Sequence, residues 1–511
     1  MSTGGQSTVP EAPSGAGLDR KLLAVGAVVV LGAIMSILDI TVVNVAISKL
    51  SVEFETSLET IQWIATGYTL ALATVIPLTG WAAGRFGTKR LYLTAIGLFL
   101  AGSALAGMAW SVESLIGFRV LQGLGGGMIM PAGMIILTQA AGPQRIGRVM
   151  SVLGVPMLLG PIFGPILGGW LVDDVSWRWI FFINVPLGIV AFLLGMRILP
   201  KDQPQPTHRL DFIGLLLLSP GLAALIYGLA KVPKAGGFKG TEVLLPVIAG
   251  AVLIVAFILR SIRTEHPLID LKLFRNRTFT TSSLAMVLFA IAFFGAMLMF
   301  PLYYQTVRGE TALSAGLLLA PQGIGAMLTM PIAGVIADRF GPARIAQAGI
   351  VVIVAGMAVF TQVAADTSYW LLGSALFVMG MGMGMTMMPM MSAALRTITK
   401  AEVPGASTSL NIIQQIGGSI GTALMAVILS NELAERLPTG GDRGGLGAAQ
   451  DVPPELREQI NPLIADAFGS TFFWSMVLLA VAFVPALFLP RGKAPADPDA
   501  AQEERVALPI G

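Results

Sequence analysis

Fourteen stretches of about twenty residues, each long enough to cross a hydrocarbon layer, run through this chain with hardly a charge. They lie roughly at 22–47, 61–82, 91–110, 114–138, 148–172, 178–199, 210–231, 242–263, 279–305, 314–336, 344–364, 368–393, 405–430 and 470–490. In hydrocarbon the backbone has no water to bond to, and a helix satisfies its N–H and C=O groups within one segment. The expected fold class is therefore an all-α membrane protein with 14 transmembrane helices. Composition agrees: 55% of the 511 residues are hydrophobic and 12% charged, where a soluble domain carries about 25% charged residues. Mean hydropathy is +0.78.

Orientation follows from Lys and Arg, which accumulate on the cytoplasmic side. With the N-terminus inside, the inner loops hold Arg85, Lys89 and Arg90, then Arg145 and Arg148, Lys201 and Arg209, Arg260 to Arg277, Arg339 and Arg344, and Arg396 and Lys400. The outer loops hold mostly acids, with Lys231, Lys234 and Lys239 dissenting. An even number of spans then places both termini in the cytoplasm, in a multi-pass protein of the cell membrane. Arg20 and Lys21 before an apolar run imitate a signal peptide, but the run continues to Ile47 without a small-residue cleavage site, so a retained first helix is expected.

The chain contains an internal repeat. Gly80, Arg85, Phe86, Gly87 and Arg90 recur as Gly334, Arg339, Phe340, Gly341 and Arg344, 254 residues later. Gly123, Gly125 and Gly127 before Pro131 are echoed by Gly380, Gly382 and Gly384 before Pro389. Repeated halves of this kind are a transporter signature, with substrate held near the midplane between bundles that rock. The expected organisation is two pseudo-repeated six-helix bundles, 22–199 and 279–490, separated by two inserted helices within 200–278. A Gly/Ser/Pro-rich cytoplasmic tail, 1–21, is expected to be disordered. A second tail covers 491–511, and the long outer loop 431–469 is either a lid or a linker.

Asp39 stands in the middle of the first span. A charge at bilayer depth costs at least about 2.5–3.5 kcal/mol, so such residues usually mark ion or proton pathways. From the helical rise, Asp39 lies ~12 Å from the outer end of its span and Arg119 ~8 Å from the outer end of the fourth. The two belong at similar depth in one half. A guanidinium favours the ionised carboxylate while burial favours the protonated one, so a change in their separation or hydration can switch proton affinity. The alternatives are a static ion pair or an acid held by Thr or Asn of neighbouring helices.

Other groups carry weaker signals. Gly160, Gly164 and Gly168 recur every four residues, leaving one face of the fifth span without side chains, while Pro156, Pro161 and Pro165 bend it. A substrate surface is sketched by Trp63, Tyr68, Phe293, Phe294, Gln322, Met383, Asn411 and Gln414, because methionine and aromatic walls adapt to varied ligands; ordinary packing is the competing explanation. No acid stands deep in spans seven to fourteen, which points to lipophilic cargo that is neutral, monocationic or weakly anionic.

Several classes are excluded. Cysteine is absent, and His208 and His266 both fall in polar loops, so no thiol chemistry and no buried histidine metal site is expected. No Gly-x4-Gly-Lys-Ser/Thr phosphate loop occurs, which disfavours ATP as a driver. No nucleophile–base set suggests an enzyme, and the net charge of +3 gives no reason to expect nucleic acid. No cofactor is expected; the partners are a small lipophilic substrate, protons and membrane lipid, and a monomer is the simplest state.

Four motifs resemble the major facilitator superfamily, specifically its fourteen-helix drug:proton antiporter branch, over nearly the whole chain. They are the run from Leu38 through Asp39 and Asn44, the loop from Gly80 to Arg90, the run from Leu115 through Arg119 and Gln122, and the fifth-span run from Gly160 to Gly169. The segments Trp177 to Pro186 and Pro267 to Phe274 are also similar to that branch. The resemblance implies proton-coupled, alternating-access export of drugs or other lipophilic molecules, with a link to antibiotic resistance. Transport of lipids or cell-envelope precursors on the same scaffold is the alternative. It implies proton coupling at Asp39 and Arg119. It also implies gating through Gly80, Arg85, Gly87, Arg90, Asp338 and Arg339, and through a sealing face at Gly164, Pro165 and Gly168. One departure stands out: the acid usual in the first loop is Gly84 here, whereas the second copy keeps it as Asp338.

Overall fold

The computed structural model describes residues 20–141, 145, 146, 149, 160, 163, 164, 167–202, 209–436 and 457–489. The expected tails and most of the expected fifth span therefore lie largely or wholly outside the described residues. Among these residues there are helices and no strands. They are α1 (Arg20–Glu53), α2 (Leu58–Phe86), α3 (Thr88–Gly107), α4 (Val112–Ala141), a π-helical turn at Leu171–Val175, α5 (Trp179–Phe182) and α6 (Asn184–Ile198). Next come α7 (Phe212–Ala235), α8 (Thr241–Arg263), a 3-10 turn at Leu271–Arg275, α9 (Arg277–Thr306), α10 (Ala312–Leu318) and α11 (Ala320–Phe340). The chain continues through α12 (Pro342–Phe360), α13 (Tyr369–Leu395), α14 (Val403–Arg436) and α15 (Arg457–Ala486). Thirteen segments among the described residues are long and apolar enough to cross a membrane.

Polar side chains start several of these helices by taking up backbone N–H groups that have no partner in the first turn. Ser57 accepts from Thr60 N, Asp211 from Gly214 N, Asn276 from Thr278 N and Phe279 N, and Thr311 from Ser314 N.

The sequence repeat is also a repeat of packing. In the first half α4 lies against α2 and α3, and α6 against α1 and α3; in the second, α13 lies against α11 and α12, and α15 against α9 and α12. The glycines explain how close these contacts are. A Cβ at Gly125 would meet Phe99 N of α3 at 2.4 Å, and one at Gly127 would meet Leu72 O of α2 at 2.5 Å. Their echoes do the same work: a Cβ at Gly382 would meet Gly349 O of α12 at 2.6 Å, and one at Gly384 would meet Thr329 Oγ1 of α11 at 2.3 Å. Pro77 and Pro331 sit at matching places inside α2 and α11. Both loops turn on a glycine at φ +93°, Gly87 and Gly341.

The halves meet on the Arg- and Lys-rich side. A Cβ at Gly80 of α2 would lie 3.1 Å from Pro404 O and 3.0 Å from Thr408 Oγ1 of α14. The inserted helices α7 and α8 pack on each other, and α7 lies against both α2 and α14. Ser219 donates to Thr74 O at 2.6 Å, and Tyr227 stacks on Trp63 with ring centroids 5.7 Å apart. The outer face of α8 turns Leu245, Ile248, Val252, Val255, Leu259 and Ile262 outward, as a lipid-facing helix must.

Four expectations need adjustment. The first helix runs to Glu53 rather than stopping at Ile47, and the last begins at Arg457 rather than near 470. Hydropathy measures the length in hydrocarbon, whereas hydrogen bonding carries a helix beyond it. The outer segment 431–469 is consequently helical at both ends, with 437–456 outside the described residues. The sixth span is broken at Ile183 between α5 and α6.

Candidate functional site

Asp39 and Arg119 touch. Arg119 Nη1 donates to Asp39 Oδ2 at 2.5 Å, and each residue is 1% exposed. Helix α1 brings the acid and α4 the base, at the common depth that helical rise predicts. A buried ion is tolerable only when paired and fully hydrogen-bonded, and the neighbours supply this. Gln122, one turn along α4, donates from Nε2 to Asp39 Oδ1 at 2.8 Å and accepts from Arg119 Nη1 at 2.7 Å. Asn184, the first residue of α6, donates to the same Oδ1 at 3.0 Å and to Ser103 Oγ at 3.2 Å. Ser103 in turn donates to Phe181 O at 2.9 Å.

The guanidinium is held on its other sides too. Its Nε donates to Ile64 O at 3.3 Å, and it lies over the Tyr68 ring at 4.2 Å and near the Phe181 ring at 5.7 Å. The Tyr68 hydroxyl is 3.3 Å from Ser36 Oγ. Tyr68 thus belongs to the ion-pair site rather than to an open wall. The motifs contained Gln122 and Asn184, but their part in this site was not foreseen: a neutral amide in an apolar helix is a faint signal beside a charge.

The glycine face of the fifth span is seated on the helix that carries Asp39. Cβ atoms at Gly160, Gly164 and Gly168 would meet Ile37 at 2.2 Å, Thr41 Oγ1 at 2.0 Å and the Val42 backbone at 3.2 Å. Thr41 also donates to Gly160 O at 3.2 Å. Pro165 lies outside the described residues.

The loop at Gly80–Arg90 finds an acid elsewhere in the chain. Asp202, after α6, accepts from Lys89 N at 2.8 Å and Arg90 N at 3.0 Å, and Lys89 Nζ donates to Met196 O and Leu199 O at 2.6 and 3.0 Å. Arg85 is exposed, and the Arg90 side chain is 3.9 Å from Asp202. In the second copy Asp338 faces Arg396. Burial pushes the Arg396 guanidinium below its ordinary value, and the Asp338 carboxylate pulls the other way. Arg339 is exposed, with its guanidinium 5.4 Å from the Phe340 ring.

The expected substrate residues differ in their surroundings. Phe293 and Met383 are packed in the core, Phe293 stacked on Phe289, and Gln322 is buried. Trp63 is exposed beside α7, and Phe294, Asn411 and Gln414 are half-buried, with Asn411 donating to Ser407 O at 2.8 Å. Among the described residues no cluster of acids and histidines could hold a metal ion.

Comparison with known proteins agrees with this architecture. A family model described as Major Facilitator Superfamily matches residues 29–422. The chain is 44% identical over 495 residues to the Multidrug resistance protein B homolog of Mycobacterium tuberculosis, covering 93% of this chain and 92% of that protein. It is 32% identical over 410 residues to the Multidrug export protein EmrB of Haemophilus influenzae, covering 79% and 80%. Among solved structures, the crystal structure of the human organic anion transporter MFSD10 shares the fold, with a TM-score of 0.57 at 14% identity over 90% of this chain and all of that one (100%). With a family match across most of the chain, relatives aligned nearly end to end and a doubled helical packing pattern, this protein belongs to the major facilitator superfamily.

Proposed function

We propose that the chain is a proton-driven exporter of lipophilic small molecules, drugs among them, working by alternating access in the cytoplasmic membrane with both termini inside. The observation that carries this is the fully buried Asp39–Arg119 pair at the meeting of α1, α2, α4 and α6. A carboxylate there can take a proton without unfolding its site, because Arg119 keeps Gln122 Oε1, Ile64 O and the Tyr68 ring when the ion pair weakens. Relatives named for multidrug resistance and multidrug export support the cargo class.

In this proposal the halves 22–199 and 279–490 rock about the seam that α2 shares with α14, while the inserted pair stays against it. The contact of Gly80 with Pro404 and Thr408 closes the inner side, and the loops around Gly87 and Gly341 make and break as the halves tilt. The glycine face at Gly160, Gly164 and Gly168 keeps α1 in register so that protons do not leak past Asp39. Trp63, Phe294, Asn411 and Gln414 are the side chains with room to meet cargo.

The test uses protein purified into proteoliposomes with an imposed pH gradient and a panel of lipophilic compounds. Wild type accumulates cargo with counterflow of protons, and Asp39→Asn loses that coupling while still folding and inserting as a monodisperse protein. Full gradient-driven transport in the variant, or uptake only of lipid and none of the small molecules, would sink the proposal.

A further inference from the structure

Asn184 is more than a link between helices. Its Nδ2 faces the Asp39 carboxylate, and its Oδ1 is buried with no hydrogen-bond partner. A buried acceptor left empty is costly. It therefore calls for an explanation in a site where every other amide atom is used.

The need appears when Asp39 takes a proton. The carboxylate accepts three hydrogen bonds from side chains, one at Oδ2 and two at Oδ1. Once neutral, it carries an O–H that needs an acceptor among the side chains around it. Gln122 Oε1 is already held by Arg119 Nη1, and Arg119 keeps its charge in both states. Ser103 Oγ is engaged by Asn184 Nδ2 and donates to Phe181 O. The Tyr68 hydroxyl is turned to Ser36. This leaves Asn184 Oδ1, on an amide whose terminal torsion has two nearly equivalent settings. A half-turn of that amide places Oδ1 where Nδ2 now stands, 3.0 Å from Asp39 Oδ1.

Resting on the proton-carrying role of Asp39, we propose that Asn184 is a positioning residue that reads the protonation state. It donates from Nδ2 to the carboxylate and, after its amide turns over, accepts the O–H of the protonated acid at Oδ1. No atom is lost in the step: the proton from solution ends on Asp39, the Asn184–Asp39 hydrogen bond reverses direction, and the donation from Nδ2 to Ser103 Oγ is given up. The turnover is transmitted because Asn184 opens α6 directly after the break at Ile183, and because its donor is shared with Ser103 of α3. The ionisable groups that meet this site from the packed elements are Asp39 on α1, Tyr68 on α2 and Arg119 on α4. On α3, Tyr92 is turned away to Val28 O and Val29 O, and Arg178 before α5 donates to Ala109 O.

The experiment is infrared difference spectroscopy of the full chain in liposomes, between alkaline and acidic buffer. The carbonyl band of protonated Asp39 is identified by its loss in Asp39→Asn. In Asn184→Leu, which has similar bulk and no acceptor, that band moves to the frequency of an acid that donates no hydrogen bond; an unmoved band overturns the inference. A second variant preserves both groups in the site: Asp39→Asn combined with Asn184→Asp exchanges acid and amide across the same 3.0 Å contact. It restores at least a tenth of the gradient-driven transport that Asp39→Asn alone abolishes, and no recovery counts against Asn184. Retention of coupled transport in Asp39→Asn alone would instead remove the proton-carrying role of Asp39, leaving the two failures distinguishable.

Discussion

The Asp202 carboxylate caps the helix that follows Gly87, accepting Lys89 N at 2.8 Å and Arg90 N at 3.0 Å from 113 and 112 residues away. The loop between α2 and α3 thus has an acid at its turn although Gly84 stands where the second copy carries Asp338. It comes from the segment that joins the first half to the inserted helices, so this turn is tied to the end of α6. The first turn of a helix exposes donors that need such an acceptor, and negative charge is favourable there. Asp202→Ala is expected to destabilise the protein by about 0.5–2 kcal/mol, and Asp202→Asn, which keeps one acceptor, by less. Thermal unfolding of the detergent-purified protein, followed by tryptophan fluorescence, checks the order.

Gly87 and Gly341 share φ +93°, and no side chain adopts that conformation comfortably. Alanine at either position is expected to cost about 1–3 kcal/mol. At Gly87 the new methyl also meets Asp202 Cγ at 2.2 Å, so Gly87→Ala expels the cap as well. Gly87→Ala and Asp202→Ala should therefore be less than additive, while Gly341→Ala and Asp202→Ala add. Melting curves of the three single and two double variants distinguish these cases.

How far the sequence could be read depended on how each residue stands out. Asp39 and Arg119 are charges inside apolar runs, and helical rise alone put them at one depth; the structure has them in contact. The repeat was legible because tight turns and close helix contacts admit glycine at fixed places. Gln122 and Asn184 escaped notice because uncharged amides barely disturb hydropathy. Asp202 escaped because a polar loop residue carries no mark of a partner more than a hundred residues away. The methionines of α13 show a different limit. Composition gave a methionine-rich helix, but Met379, Met383, Met387 and Met390 are buried in the core, and which face turns inward is decided by the neighbouring helices.

Removing one partner of a buried ion pair leaves the other unpaired, at a cost of about 3–5 kcal/mol. Arg119→Met strands the Asp39 carboxylate between Gln122 and Asn184, so it is expected to lose stability in that range. Adding Asp39→Asn removes the stranded charge, and the double variant should be more stable than Arg119→Met alone. The coupling between the two sites is expected to exceed about 1 kcal/mol, as for residues in one network. Unfolding midpoints of the four members of the cycle measure it; additive effects would mean that the pair contributes no mutual stabilisation.

The acids of the second half and the inserted pair bear on cargo charge. Among the described residues from α7 onward, Asp211 and Glu242 stand at helix starts and Asp338 in the last turn of α11, while Glu310, Asp366 and Glu402 lie between helices. Asp466 of α15 is exposed within its first turns, and Glu432 is paired with Arg436. The one carboxylate at mid-depth in the described helices is Asp39, already committed to Arg119. Two fixed positive charges entering a low-dielectric cavity call for compensating anions, and the described helices offer one at mid-depth, shared with the proton. A rigid dication should therefore inhibit gradient-driven transport of a neutral lipophilic compound at least tenfold more weakly than a monocation of similar size and hydrophobicity. Competition assays in proteoliposomes at fixed pH gradient measure this ratio, and equal inhibition by the two cations would require an acid site outside the helices described.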